Sequence, residues 1–167
     1  MIYFEELALG QKFASIRRRR VEASEIKSFA ADFDPQPFHL DDTAARDTAF
    51  GGLAASGWHT AALTMRLFVQ TLNFAKGAIG LGVDKLRWPN AVRPGDVLTV
   101  ETKILGVRVS RSRPRYGIVR LRNVTTNQSG EVVQTMLANA MVQRRLQRRR
   151  SRRDNKTTDH KTTRSKK

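Results

Sequence analysis

The spacing of apolar residues changes near residue 80, and that change constrains the fold more than any single motif in this 167-residue chain. Before it, apolar side chains recur every three or four positions, the period of a helix; after it they recur every second position, the period of a strand with one buried face. Ile26, Phe29, Ala30 and Phe33 follow Ser24, a candidate N-cap, and predict a short amphipathic helix ending before Pro35. A second helix is predicted from about Ser56-Gly57 to Asn73. Its stripe of Ala61, Met65, Phe68 and Leu72, widened by Ala62, Leu63 and Val69, covers so much of its girth that the helix must be central. Leu98, Val100 and Ile104 then alternate with Thr99, Glu101 and Lys103, and Val119 and Leu121 with Arg120 and Arg122. Turns at Pro94-Gly95-Asp96 and Asn127-Gln128-Ser129-Gly130 bound strands near 81–88, 97–108, 115–126 and 131–142, with a further strand around 13–21. Helices and strands are segregated, so the expected class is α+β: an antiparallel sheet of about five strands facing one long helix.

After Val142 only Leu146 interrupts a run of Arg, Lys, Ser, Thr and Asp, and such a segment cannot bury enough surface to offset chain entropy. Two parts follow: a domain over 1–143 and a disordered basic tail over 144–167. The tail carries a formal +10 of the chain's net +16. It attracts polyanions without specificity, because it has no aromatic residue on which a base could stack. The absence of cysteine excludes disulfides, thiolate nucleophiles and cysteine-bound metal centres. The start is acidic rather than basic, and no run of 18 apolar residues occurs, so the expectation is a soluble, cytoplasmic protein with no membrane partner.

Chemistry concentrates in Asp34-Pro35-Gln36-Pro37-Phe38-His39. Two prolines fix φ and remove two donors, which makes a loop stiff enough to hold a carboxylate and an imidazole in a set relation. An Asp and a His converging on one water form a general acid/base pair. Spacing alone leaves other readings open: an Asp after a helix also serves as a cap or turn former, and a lone His as a satisfied core or surface residue. Asp34, His39, Asp41 and Asp42 lack the glycine bend of an oxygen-rich cation loop, so no metal is expected. Arg111, Arg113 and Arg115 form a basic loop that could pair with phosphate oxygens or simply be a solvated hairpin tip. Of Arg17 to Arg20 at most two share a strand face. Nucleotide-binding glycine motifs and a serine nucleophile elbow are both missing.

These residues resemble the MaoC-like dehydratase family, the (R)-specific enoyl-CoA hydratases of the hotdog fold, whose motif reads Asp, any residue, Asn, Pro, an apolar residue, His. Asp34, Pro37, Phe38 and His39 fit, with Gln36 in place of the Asn. His39-Leu40-Asp41-Asp42 to Ala45, Phe50-Gly51-Gly52 and Ser56-Gly57 match the family run in order and spacing. Arg-Trp-Pro, Val-Arg-Pro-Gly-Asp and Gly-Glu-Val-Val extend the likeness to about residue 143. The resemblance implies reversible addition of water to a trans-2-enoyl thioester, carried by coenzyme A or an acyl carrier, with no cofactor. Asp34 and His39 would activate the water, and the Gly57 N–H at a helix N-terminus would stabilise the thioester oxyanion. The family's supporting serine falls by count on Met65, which moves its hydrogen bond to Thr60 or to Thr64, a candidate substrate-side residue. His59 reads as a helix-surface residue. Arg111, Arg113 and Arg115 would grip coenzyme A phosphates. The family pairs two units into one continuous sheet, so a homodimer or larger homo-oligomer is expected. The alternative class is a non-catalytic thioester-binding or regulatory hotdog protein with a polyanion-binding tail.

Overall fold

The computed structural model describes residues 1–145; residues 146–167, most of the expected basic tail, lie outside the described residues. A 3-10 turn at Phe4–Glu6 leads into β1 (Lys12–Ala14) and β2 (Arg19–Arg20). Four helices follow, α1 (Ala23–Phe33), α2 (Pro37–Leu40), α3 (Asp42–Arg46) and α4 (Gly57–Thr71), and then β3 (Ala78–Arg87), β4 (Val97–Val109), β5 (Tyr116–Thr126) and β6 (Val132–Gln143). The six strands form one antiparallel sheet in the order β1-β4-β5-β6-β3, with β2 also on β4. The α+β class and the central helix are as the hydrophobic period indicates.

The expected first strand over 13–21 is two strands, which raises the count from five to six. Lys12–Ala14 pair with Lys103–Glu101, but Arg19 and Arg20 pair with Leu98 and Val97, so four residues on one side oppose two on the other. Ser15 causes the break: its N–H donates to the Val100 carbonyl at 2.8 Å, and its own hydroxyl takes the Val100 N–H at 2.9 Å. Helix α1 is capped at Glu22, not Ser24, because the Glu25 carboxylate accepts the Glu22 N–H at 3.3 Å. The stretch after Asp34 is not all loop. Pro37 starts the one-turn α2, and the Asp41 carboxylate caps α3 by accepting the Thr43 and Ala44 N–H groups at 2.9 and 2.8 Å.

Helix α4 lies against the sheet with a different stripe from the one expected. Leu63, Leu67, Phe68 and Leu72 are buried, while Met65 is 46% and Val69 55% exposed. Apolar residues occupy nearly every face of this helix, so the sheet rather than the pattern selects which face is covered. Its first turns pack with Val21, Ile26, Leu98, Val100 and Val133. Its last turns pack with Phe4, Phe74, Ile104, Val119, Leu121 and Val142. The two ends of α4 thus mark two ends of the core.

Arg144 and Arg145, which the sequence reading places in the tail, close the far end. Arg144 Nε donates to Glu5 at 2.9 Å, its backbone N–H to the Arg115 carbonyl at 2.9 Å, and the Arg145 guanidinium sits over the Tyr3 ring at 4.7 Å. At that same end Phe4 packs so tightly on the inner face of β5 that a Cβ at Gly117 would penetrate its ring. Gly117→Ala therefore displaces Phe4 and is expected to cost about 1–3 kcal/mol, read as a lower urea midpoint at unchanged slope.

Candidate active site

Asp34 is the C-cap of α1, and its N–H closes that helix on the Ala30 carbonyl at 2.9 Å. Its carboxylate leaves the helix end and collects two donors. Gln36 Nε2 donates to Oδ1 at 2.7 Å, and the Ser56 hydroxyl donates to Oδ2 at 2.6 Å. Both favour the charged form, so the carboxyl is held below the usual aspartate range, first by Ser56 and then by Gln36, against a smaller opposing effect of burial.

His39 comes from α2, whose start at Pro37 turns the chain back towards Asp34. The ring is 4% exposed, packed edge-on by Phe38 at 4.5 Å and flanked by Phe50 at 5.9 Å. Its Nδ1 lies 2.7 Å from the Ala54 carbonyl, which can only accept, so Nδ1 carries the proton. With Nδ1 protonated, Nε2 is the acceptor whenever the ring is neutral, and it faces Asp34 Oδ2 at 3.5 Å. Two acceptors at that separation are suited to share one donor molecule such as water, with an O–H directed to each.

The strip that delivers Ser56 is held on both sides. Arg93 donates to the carbonyls of Gly52 at 2.7 Å, Leu53 at 3.2 Å and Phe50. Ala54 N–H bonds the Phe38 carbonyl at 3.2 Å and Ala55 N–H the Val92 carbonyl at 2.9 Å. Ser56 then has two tasks: its hydroxyl donates to Asp34 and accepts the Trp58 N–H at 3.2 Å as N-cap of α4. Gly57 is the first helical residue, so its N–H belongs to the unpaired donors at the positive end of the helix. The need for glycine there is steric, since a Cβ would lie 2.7 Å from the Trp88 ring. Trp88 is fixed in turn by donating Nε1–H to Gln134 at 2.8 Å.

Asp34, His39 and Gly57 are therefore brought to one place; the other candidates are not. Thr64 is fully buried and bonds Thr125 at 2.7 Å, and Thr60 bonds back to the Ser56 carbonyl at 3.3 Å, so neither supports Asp34. Met65 is on the exposed face. The support for Asp34 expected from Thr60 or Thr64 comes instead from Ser56, one residue before Gly57. In the sequence Ser56 is legible as a cap, but a bond to a residue 22 positions earlier leaves no local signal. Arg93 was also missed, as part of a turn motif. Arg111, Arg113 and Arg115 are exposed in the β4–β5 hairpin, whose flanks Val109 and Gly117 pair beyond the C-terminal end of α4, far from Asp34. His59 is not on the surface: it is 6% exposed, with its ring stacked on Phe29 at 4.7 Å. No group of three His, Asp or Glu able to hold a metal ion occurs among the described residues.

Comparison with known proteins agrees with this architecture. Residues 5–128 match the family model described as a MaoC like domain. The crystal structure of a MaoC-like dehydratase from Rhodospirillum rubrum is 55% identical with a TM-score of 0.83, covering 88% of this chain and 100% of the other. The unliganded (R)-hydratase PhaJ1 from Pseudomonas aeruginosa is 28% identical with a TM-score of 0.69, covering 86% of this chain and 87% of that one. Among curated proteins, the 3-hydroxybutyryl-CoA dehydratase of Methylorubrum extorquens is 29% identical over 116 residues, 69% of this chain and 71% of that protein. A sheet wrapped on one central helix, a family match across most of the domain and these neighbours lead to one conclusion: the chain belongs to the MaoC-like dehydratase family and has its hotdog fold.

Proposed function

We propose that this chain is a hydro-lyase that adds water reversibly to a trans-2-enoyl thioester, with Asp34 and His39 as its acid/base pair. The observation that carries this is the 3.5 Å approach of Asp34 Oδ2 and His39 Nε2, with each side chain's remaining positions already bonded. A water donating one O–H to each would have its oxygen lone pair free to attack C3 of the enoyl group. The pair takes the proton released by the water and returns it to C2, so it ends in its starting state. Negative charge builds meanwhile on the thioester oxygen, where the Gly57 N–H and the start of α4 would stabilise it without rearrangement. The activities named for the Methylorubrum and Pseudomonas relatives, dehydration of a 3-hydroxyacyl-CoA and (R)-hydration, are the two directions of such a reaction.

A second copy of the chain is part of this proposal. Strand β3 is one edge of the sheet, opposite β1; Ile79, Leu81 and Val83 on it are 49–52% exposed, as are Trp58, Met65 and Val69 on α4 to comparable degrees. An open apolar edge of this kind calls for a cover. Antiparallel pairing of two β3 strands would continue the sheet and set the Ala78 end of one beside the Arg87 end of the other. It would also carry the hairpin with Arg111, Arg113 and Arg115 from the second copy towards the first copy's site, which is how these arginines would reach coenzyme A phosphates.

Three outcomes follow. Asp34→Asn keeps the side-chain shape and removes the basic oxygen, so turnover of crotonyl-CoA, followed by loss of the enoyl absorbance, should fall about 10²–10⁴-fold, with the protein still folded but its melting temperature at neutral pH lowered by loss of the carboxylate that Ser56 and Gln36 bond. A variant retaining a third of the rate would return the chain to the thioester-binding class. Ser56→Ala removes the larger of the two hydrogen bonds that depress the Asp34 carboxyl, so its midpoint in a carboxyl ¹³C NMR titration should rise. The sign for stability is the same: the contribution of the depressed carboxyl is present above the unfolded aspartate range and is lost as pH falls through the folded value, so the variant should lose it at higher pH than the parent. Sedimentation at micromolar concentration should give at least a dimer, whereas an active monomer would rule out the β3 pairing.

A further inference from the structure

One turn beyond Ser56 lies a second polar cluster, buried at His59 and half-buried at Arg19 and Glu25, and the hydration chemistry does not use it. His59 follows Ser56 by three residues, so their side chains leave the same face of α4 with Cβ atoms about 5–6 Å apart. The imidazole is 6% exposed and lies flat on Phe29 of α1 at 4.7 Å, and its buried Nδ1 has no hydrogen-bond partner among the described residues. Arg19 of β2 reaches the same seam. One terminal nitrogen pairs with Glu25 of α1, yet its Nε is buried and likewise unpartnered among the described residues. Burial holds the His59 imidazole below its usual range; of the charged groups that act on it, Glu25 favours the protonated form and Arg19 opposes it.

Buried polar nitrogens without partners are rare and costly, so each calls for an explanation. Here two occur in one small cluster, between the same two helices that present Asp34 and Ser56 to each other. Resting on the acyl-thioester reading above, we infer that Arg19 and His59 form the recognition site for the far end of the acyl chain and that they receive a carboxylate there. An arginine Nε–H can only donate, and an imidazole Nδ1 donates in one of its tautomers, so the complementary group is an oxygen anion with lone pairs for both. A plain alkyl end would leave both nitrogens unsatisfied, and a site built to bond a polar group discriminates strongly against the analogue that lacks it. The length is also suitable. With the thioester carbonyl at Gly57 and C3 at Asp34 and His39, about one helical turn remains to His59, roughly 5 Å, which C4, the C5 carboxylate of a five-carbon chain and its hydrogen bond to the ring can cross.

The test uses saturated thioesters, which cannot be hydrated. Calorimetric titration should show the wild-type protein binding glutaryl-CoA at least tenfold more tightly than butyryl-CoA, with that preference abolished in His59→Leu and partly kept in His59→Gln, which retains a donor. Equal affinity of the wild type for the two, or a full preference surviving in a folded His59→Leu, overturns the proposal. Hydration of crotonyl-CoA and of glutaconyl-CoA, measured in parallel, reports on the hydro-lyase reading alone, since turnover of either supports it. Turnover without a glutaryl preference refutes the carboxylate site and leaves that reading standing; preference without turnover does the reverse. Failure to bind either saturated thioester overturns the carboxylate site, and failure to hydrate either enoyl thioester as well overturns both readings.

Discussion

The Ser56 hydroxyl joins two parts of the molecule that the chain separates widely, and the arrangement of the site depends on it. It donates to the carboxylate that ends α1 and accepts from the backbone that begins α4. A hydroxyl has one proton and two lone pairs, so both bonds can be made at once without competition. The negative C-cap side chain of one helix is thereby fixed at the positive start of another, an arrangement the helix dipole also favours. His39, Gln36 and Gly57 take their positions relative to this junction.

The junction is held from outside by parts of the chain that take no part in chemistry. Asp96 is buried, accepts the Arg93 N–H at 2.7 Å and is itself bonded by Gln128 at 3.0 Å. Arg93 in turn binds the three carbonyls of the strip that ends at Ser56. The turn before β4 and the turn after β5 thus brace the loop carrying the site, although neither touches Asp34 or His39. Bracing of this kind fixes where Ser56 sits and, through its hydrogen bond, where the Asp34 carboxylate sits. Trp88 has a similar part at Gly57, where it occupies the space that any side chain would need.

Charge is distributed unevenly between the two ends of the molecule. Around the site most cations are committed, Arg93 to carbonyls and Lys27 to Asp42 at 2.6 Å, while Arg19 is engaged with Glu25 through one terminal nitrogen only. The end with the exposed Arg111, Arg113 and Arg115 has its acids, Glu5 and Glu6, paired with Arg144 and Arg145. Three arginines are left there with no ion pair among the described residues, so this end carries the uncompensated positive charge.

Much of this was legible in the sequence because it is periodic or local. The switch from a 3.6 to a 2 residue period located α4 and the four long strands to within a few residues, since burying one face of each element forces that spacing. The stiff Asp34-to-His39 loop was legible as well, because proline geometry acts within a few bonds. What the sequence could not show depends on contacts between distant segments. The face of α4 that is buried was ambiguous while apolar residues lay all round it, and only the sheet selected Leu63, Leu67 and Phe68 over Met65 and Val69. The break at Ser15 needed the register on β4, and the burial of His59 needed Phe29 from another helix. Counting along the helix points to Thr60 or Thr64 for the support of Asp34, whereas the bond comes from Ser56, because such counting cannot reveal a hydrogen bond that spans 22 residues. The sequence by itself determined the elements and the reactive residue types, since these follow from local sterics and solvent exclusion. Tertiary structure decided which polar groups meet, since a hydrogen bond requires positions within about 3 Å that only the packed chain defines.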